Sequence, residues 1–262
     1  MFEFEGKVGL VTGANRGIGA CFVDALMDAG ASKVYACARK PETLDWAVEK
    51  YGTRMVPLTL DVAEPAQVDA VIAQTGDVDL LISNAGRGGS GSVHELDDAL
   101  VRKLFEVHVF GPRRLIAGLL PGIIEREGGV ILVQSTAALA MSRGGPMYSA
   151  SKSAATFMGM GLREDMRKVG VKVSNVHPGF TNTDIIATYA IAKAEPRDVV
   201  NVALEGWAAD EAHIFTDLYS QMVHEQVVTK MNELLFEPVT AGTELIADYR
   251  LRSGSGLIQE DE

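Results

Sequence analysis

Cysteine is scarce in this chain: Cys21 and Cys37 are its two cysteines in 262 residues, and both lie in apolar segments. Neither belongs to a disulfide framework or a Cys-x-x-Cys metal ligand pair, so both read as small core hydrophobes in a reduced compartment. Basic residues are outnumbered, 24 against 35 acidic, for a formal net charge of −11. That balance argues against nucleic acid as the main partner, because phosphate binding needs a concentrated basic surface. Long hydrophobic runs are missing as well. The most apolar stretch, Leu115–Ile124, falls far short of the ~20 residues that cross a bilayer. The start, Met1-Phe2-Glu3-Phe4-Glu5, has neither the basic flank nor the apolar stretch of a secretory signal. The expectation is a cytoplasmic protein without a membrane partner. The histidines outside the segment discussed below, His94, His177, His213 and His224, do not stand with acids or cysteines at ligand spacing, so no catalytic metal is expected. There is no Gly-x-Ser-x-Gly elbow, which argues against a serine hydrolase.

What is present is an alternation. Lys7–Thr12, Lys33–Ala38, Met55–Leu60, Leu80–Ser83, Val130–Gln134 and Val171–His177 read as strands. Between them lie helical patterns at Ile18–Ala29, Thr43–Tyr51 and Pro65–Thr75, a long helix from about Asp97, and one from about Tyr148 to Lys168. In the first helix Ile18, Phe22, Leu26 and Ala29 form one apolar face, closed by Gly30. Such a rhythm predicts an α/β fold: a doubly wound, Rossmann-type parallel sheet of about seven strands with helices on both faces. Beyond Pro178 the pattern loosens into helical stretches at Asp184–Lys193, Arg197–Ala209 and Tyr219–Phe236, with a strand at Ile214–Leu218. No linker divides the chain, so residues 1–252 read as a single domain and 253–262, rich in Gly, Ser and acid, as a disordered tail.

The first strand runs into Thr12-Gly13-Ala14-Asn15-Arg16-Gly17-Ile18-Gly19 and then a helix. This arrangement presents backbone N–H groups and a helix N-terminus to a pyrophosphate, and glycine is needed where a Cβ would block either the phosphates or the packing of helix on strand. The spacing, Gly-x-x-x-Gly-x-Gly, marks a variant of the dinucleotide fold. Twenty positions beyond Gly19 stands Arg39, followed by Lys40, where an acid would bind a free ribose 2′-hydroxyl. Arg16, inside the loop, can reach the same place. Two guanidiniums favour NADP(H) as cofactor, the alternative being solvated surface charges.

Further features follow in order: Asp61-Val62 after the third strand, Asn84-Ala85-Gly86 after the fourth, Ser135, Tyr148-x-x-x-Lys152, and Pro178-Gly179 followed by Thr183. Together with Thr12–Gly19 they make the chain resemble the short-chain dehydrogenases/reductases, single-domain NAD(P)-dependent oxidoreductases. A tyrosine and a lysine four apart share a helix face. A neighbouring ammonium should lower the phenol's pKa from ~10, and an oxidised nicotinamide would push the same way, so that Tyr148 can exchange a proton with a carbonyl or alcohol. Ser135, 13 positions upstream, would hydrogen-bond the substrate oxygen. The resemblance further implies that Lys152 binds the nicotinamide ribose, that Asp61 and Val62 meet the adenine, and that Asn84, Ala85 and Gly86 approach the adenosine side. It places Pro178 and Gly179 beside the nicotinamide, and Thr181 and Thr183 near its carboxamide or phosphates.

The chain departs from the family at Glu106-Val107-His108-Val109-Phe110-Gly111, where His108 stands in place of an asparagine that holds a water in a proton relay. Imidazole donates and accepts, so His108 is expected to replace that asparagine in the relay. The expected function is hydride transfer between NADP(H) and a ketone/secondary alcohol or aldehyde, as in a carbonyl reductase or alcohol dehydrogenase. The alternative is an NADP(H)-binding sensor or scaffold without turnover, for which the change at His108 is the one supporting feature. The stretch Phe180–Lys193, with Ile185, Ile186, Tyr189 and Ile191, suits a modestly apolar substrate. The resemblance also implies a homodimer or homotetramer through the helices containing His108 and Tyr148. In the latter helix Ser149, Ala150, Ser151, Ser153, Ala154 and Ala155 permit close approach, either to a second copy or within the monomer.

Overall fold

The structure, a computed structural model, describes residues 4–141, 145–184 and 191–229. Seven strands form one parallel sheet: β1 (Val8–Thr12), β2 (Lys33–Ala38), β3 (Met55–Thr59), β4 (Leu80–Ser83), β5 (Gly129–Val133), β6 (Lys172–His177) and β7 (His213–Phe215). Their order is β3-β2-β1-β4-β5-β6-β7, with registers such as Leu10 opposite Tyr35 and Leu81 opposite Val130. The strands are almost continuously apolar because both faces are covered. Within a strand, neighbouring residues serve opposite layers. Val11, Leu80, Ile82, Ile131 and Val133 join one core cluster, with Phe22 and Leu26 of α1 (Gly17–Asp28) and Val200 and Leu204 of α7 (Pro196–Ala208). Leu10, Leu81, Val130 and Leu132 join the other, with Val68 of α3 (Pro65–Gln74) and Leu115 and Leu119 of α5 (Gly111–Glu125). Strand order reverses between β1 and β4, so the loops leaving them diverge and open a crevice at the carboxyl edge, where such folds take ligands.

Several expected boundaries shift, each for a local reason. Thr43–Tyr51 divides into a 3₁₀ turn, Pro41–Leu44, and α2 (Asp45–Tyr51). The long helix from about Asp97 is broken in register. It begins as α4 (Asp98–Phe105), capped by the Asp97 carboxylate on the Ala99 N–H, widens into a π-helical turn at Glu106–Phe110, and resumes as α5. The Gly111 N–H bonds the carbonyl of Glu106, five residues back. Pro112 follows directly and has no N–H to give the carbonyl of His108, so the usual ladder cannot run through this point. Gly111 is needed here, since a Cβ on it would meet the Val62 carbonyl at 2.2 Å.

The strand expected at Ile214–Leu218 is His213–Phe215, because Asp217 instead caps α8 (Leu218–Thr229) by accepting the Ser220 N–H at 2.9 Å. Of the helix expected at Tyr219–Phe236, residues 230–236 lie outside the described residues, as does the expected tail 253–262. Residues 185–190 of the helical stretch expected at Asp184–Lys193 also lie outside them, and 191–193 are not helical; Thr181 and Ala194 form a parallel bridge. The sixth helix, α6 (Pro146–Met166), begins two residues before Tyr148. Among the described residues no helix is long and apolar enough to cross a membrane.

Candidate active site

A cavity of about 990 Å³ opens at the carboxyl edge of the sheet, and every residue singled out from the sequence as catalytic or cofactor-binding lines it. One wall is the glycine loop. Gly13 and Gly17 take positive φ, +64° and +57°, and a Cβ on Gly19 would sit 2.0 Å from the Gly13 carbonyl oxygen, so the α1 N-terminus reaches the cavity because glycine lets it. Among the described residues no side chain caps that helix end. The loop is braced from β4: the Asn84 side-chain amide donates to the carbonyls of Thr12 (2.9 Å) and Gly13 (3.2 Å). The N–H groups of Asn84 and Ala85 in turn donate to the Thr12 hydroxyl. Asn84 thus holds the loop through its side chain, which the expectation of a simple backbone approach did not include.

At the rim, Arg39 and Lys40 are exposed and make no ion pair among the described residues. Arg16 differs from its expected pose, because its guanidinium crosses the cleft to the carboxylate of Asp184. Asp61 receives the Ala63 N–H at 3.0 Å and faces the Lys103 ammonium at 3.4 Å, a cation supplied by α4 that the sequence reading missed. At the far end Gly179 donates its N–H to the Asp217 carboxylate at 2.8 Å. Asp217 therefore ties the Pro178-Gly179 turn to the start of α8. It lay 38 positions from that turn with no motif to mark it. The Thr181 hydroxyl in the cavity wall is buried without a hydrogen-bond partner among the described residues.

These features fit a dinucleotide. An uncapped helix N-terminus suits a pyrophosphate, two unpaired cations suit a further phosphate, and a buried hydroxyl without a partner is satisfied by a polar ligand group.

The chemistry-bearing residues meet where β5 and α6 adjoin. Ser135 accepts the Ala137 N–H at 3.1 Å, capping the turn Thr136–Ala138, and is hydrogen-bonded to the Tyr148 hydroxyl. Lys152, one turn beyond Tyr148, is buried and donates to the Val133 carbonyl at 2.9 Å. Burial pushes its amine down to about 8. Tyr148 is raised by burial, with the Ser135 hydrogen bond pulling the other way. In the chain without cofactor the Lys152 amine is committed to a main-chain carbonyl and desolvation of the phenolate prevails, so the lowering expected from Lys152 is not expressed in this state. Behind Ser135, the His177 ring faces its carbonyl at 3.4 Å and pairs through Nε2 with Nδ1 of His213 at 3.0 Å. Burial pushes His177 down to about 4 and, with Lys152 nearby, His108 down to about 2. Among the described residues no three His, Cys, Asp or Glu side chains stand together as a metal site.

The short chain dehydrogenase family model matches residues 7–193. The chain belongs to the short-chain dehydrogenase family. It is 33% identical over 196 residues to an uncharacterized oxidoreductase of Myxococcus xanthus, covering 72% of this chain and 77% of that protein. A short-chain dehydrogenase of Burkholderia cenocepacia, solved in complex with NADP, superposes with a TM-score of 0.83 at 32% identity, over 91% of this chain and 99% of the other. L-sorbose reductase of Gluconobacter frateurii, solved with NADPH and L-sorbose, gives 0.74 at 26% identity, over 80% and 94%. A Rossmann-type sheet carries the site, and around it stand the Arg16–Asp184 pair, Lys103 on Asp61, and the Asp217 tie.

The buried histidines set a pH dependence. In the folded chain His108 and His177 stay neutral down to about 2 and about 4, while the unfolded chain takes protons on them below 6.5. Stability from these groups is therefore complete above pH 6.5 and falls as the pH drops toward the folded values. Thermal unfolding should show a lower Tm at pH 5 than at pH 7, with a shallower decline in His108→Gln; an equal decline in the variant contradicts the assignment.

Proposed function

We propose that this dehydrogenase moves hydride between NADP(H) and a ketone/secondary alcohol or an aldehyde, with Tyr148 as general acid and base. The observation that carries the reading is the meeting of Ser135, Tyr148 and Lys152 on the same cavity that the glycine loop borders. NADP(H) is supported by Arg39 and Lys40, unpaired at the rim, and by the NADP and NADPH of the two structural relatives. Bound there, the reduced nicotinamide supplies hydride.

The chain's residues do the rest. Tyr148 donates its hydroxyl proton to the carbonyl oxygen as that oxygen gains charge, and takes it back in the reverse direction. Ser135, hydrogen-bonded to the phenol, orients the same oxygen. Lys152, one turn along α6 from Tyr148, has an amine near 8, able to hold charge or give it up around neutral pH, and by resemblance binds the nicotinamide ribose. Gly179, fixed by Asp217, shapes the nicotinamide end. Loss of NADPH absorbance against a panel of ketones and aldehydes tests the reading. Tyr148→Phe should lower kcat by about 10²- to 10⁴-fold with NADPH binding retained. Tight NADPH binding by the wild type without turnover on any carbonyl would instead favour a sensor.

The partner in this proposal is a second copy. The small residues of α6 divide between two faces. Ser149, Ser151, Ala155 and Gly159 are buried inside the monomer, where a Cβ on Gly159 would meet Asn175 Oδ1 at 2.3 Å. The outer face presents Phe157, 71% exposed, and Met160, with Phe110 of the π turn also exposed. Large apolar side chains at such exposure on a helix face suit an isologous contact. Sedimentation at micromolar concentration should give a dimer or tetramer for the wild type and a monomer for Phe157→Glu; a monomeric wild type would contradict the assembly.

A further inference from the structure

His108 occupies the middle of the π turn, and the hydrogen bonds around it allow one direction only. The Arg87 N–H points at His108 Nε2 at 3.2 Å. An amide N–H can only donate, so Nε2 accepts with its lone pair. Neutral imidazole then carries its proton on Nδ1, which lies 2.8 Å from the Ser151 hydroxyl oxygen. That hydroxyl has its own acceptor, the Tyr148 carbonyl at 2.7 Å. The chain reads Arg87 N–H to His108, His108 Nδ1–H to Ser151, Ser151 O–H to the Tyr148 carbonyl. Every donor and acceptor along it is used in one sense. Its ends are a backbone N–H and a backbone carbonyl, groups that do not release or take up protons near neutral pH.

The ring is also locked sterically. It is buried and meets the Tyr148 ring edge-on, with centroids 5.5 Å apart and an interplanar angle of 85°. A Cβ on Gly86 would lie 3.8 Å from His108 Nε2, so the loop after β4 runs close over it. The titratable groups facing the ring are Tyr148 and Lys152 from α6 and Arg87 from the loop. The cations among them, together with burial, oppose a charge on the imidazole.

We infer that His108 and Ser151 are positioning residues: a fixed, uncharged strut between the loop after β4 and the first turn of α6, which aims Tyr148 and through which no proton passes. This replaces the expectation that His108 serves in a relay. The π turn holds residue 108 between the loop and α6, within hydrogen-bond reach of both. The loop that borders the cavity and the helix that bears the phenol are thereby held at one spacing.

The kinetic part of the test rests on the proposed hydride transfer, but the spectroscopic part does not. In the full chain saturated with NADP, ¹⁵N histidine spectra, assigned with His108→Gln, should show residue 108 as the neutral Nδ1–H tautomer from about pH 5.5 to pH 9. A charged ring, or exchange between tautomers in that range, overturns the inference. In turnover, Ser151→Ala should lower kcat about tenfold through misaimed phenol, leave the limbs of the pH profile in place, and be rescued by Ser151→Thr. A displaced limb, or full activity in Ser151→Ala, overturns it too. If no carbonyl is reduced by the wild type, the proposed function fails while the histidine spectra still decide for or against the strut.

Discussion

A single buried amine sets the terms for the rest of the site. Lys152 has left water for a place against β5, where the Val133 carbonyl is its hydrogen-bond partner. Burying an ammonium is costly, and the group responds by moving its pKa toward neutrality. The close seat that makes this burial possible comes from the small residues of α6, above all Gly159, which lets the helix settle against Leu132 and Asn175. The same seat brings Tyr148 to Ser135 and His108 to Ser151. Packing, electrostatics and the arrangement of reactive groups are one constraint seen three ways.

The parallel sheet supplies the other half. Because β1 and β4 are adjacent at the point where strand order reverses, their outgoing loops can be stitched together, and Thr12 and Asn84 do so with four hydrogen bonds. The loop after β6 is held differently, by a carboxylate from beyond β7. The cavity therefore has a stiff end at the glycine loop and an end whose shape depends on Asp217 and the start of α8. A dinucleotide lying between them would span both.

What could be read from residues alone was whatever depends on local backbone demands. A glycine loop between strand and helix, a tyrosine and lysine on one helix face, and Asn84-Ala85-Gly86 at a strand end each carry their structural context with them, and all line the same cavity. Contacts between distant segments left no such trace. Arg16 and Asp184 are 168 positions apart, and Asp217 meets Gly179 across 38. The break between α4 and α5 was legible in principle, since Gly111-Pro112 lies in the middle of the helix, yet apolar periodicity continues through it and masks the change of register. The direction of the Tyr148 shift in the free chain was not legible for a different reason. Sequence spacing showed that a lysine was near the tyrosine but could not show where its amine pointed.

The proposed chemistry requires that this phenol, raised in the free chain, give up its proton more readily once a positive nicotinamide stands beside it. Ultraviolet difference titration of the wild type against Tyr148→Phe, with and without oxidised NADP, measures this most directly. The expected result is a phenol that ionises above the ordinary tyrosine value in the free chain and below it in the complex, since a nearby positive charge favours the phenolate. A phenol with the same pKa in both states would contradict it.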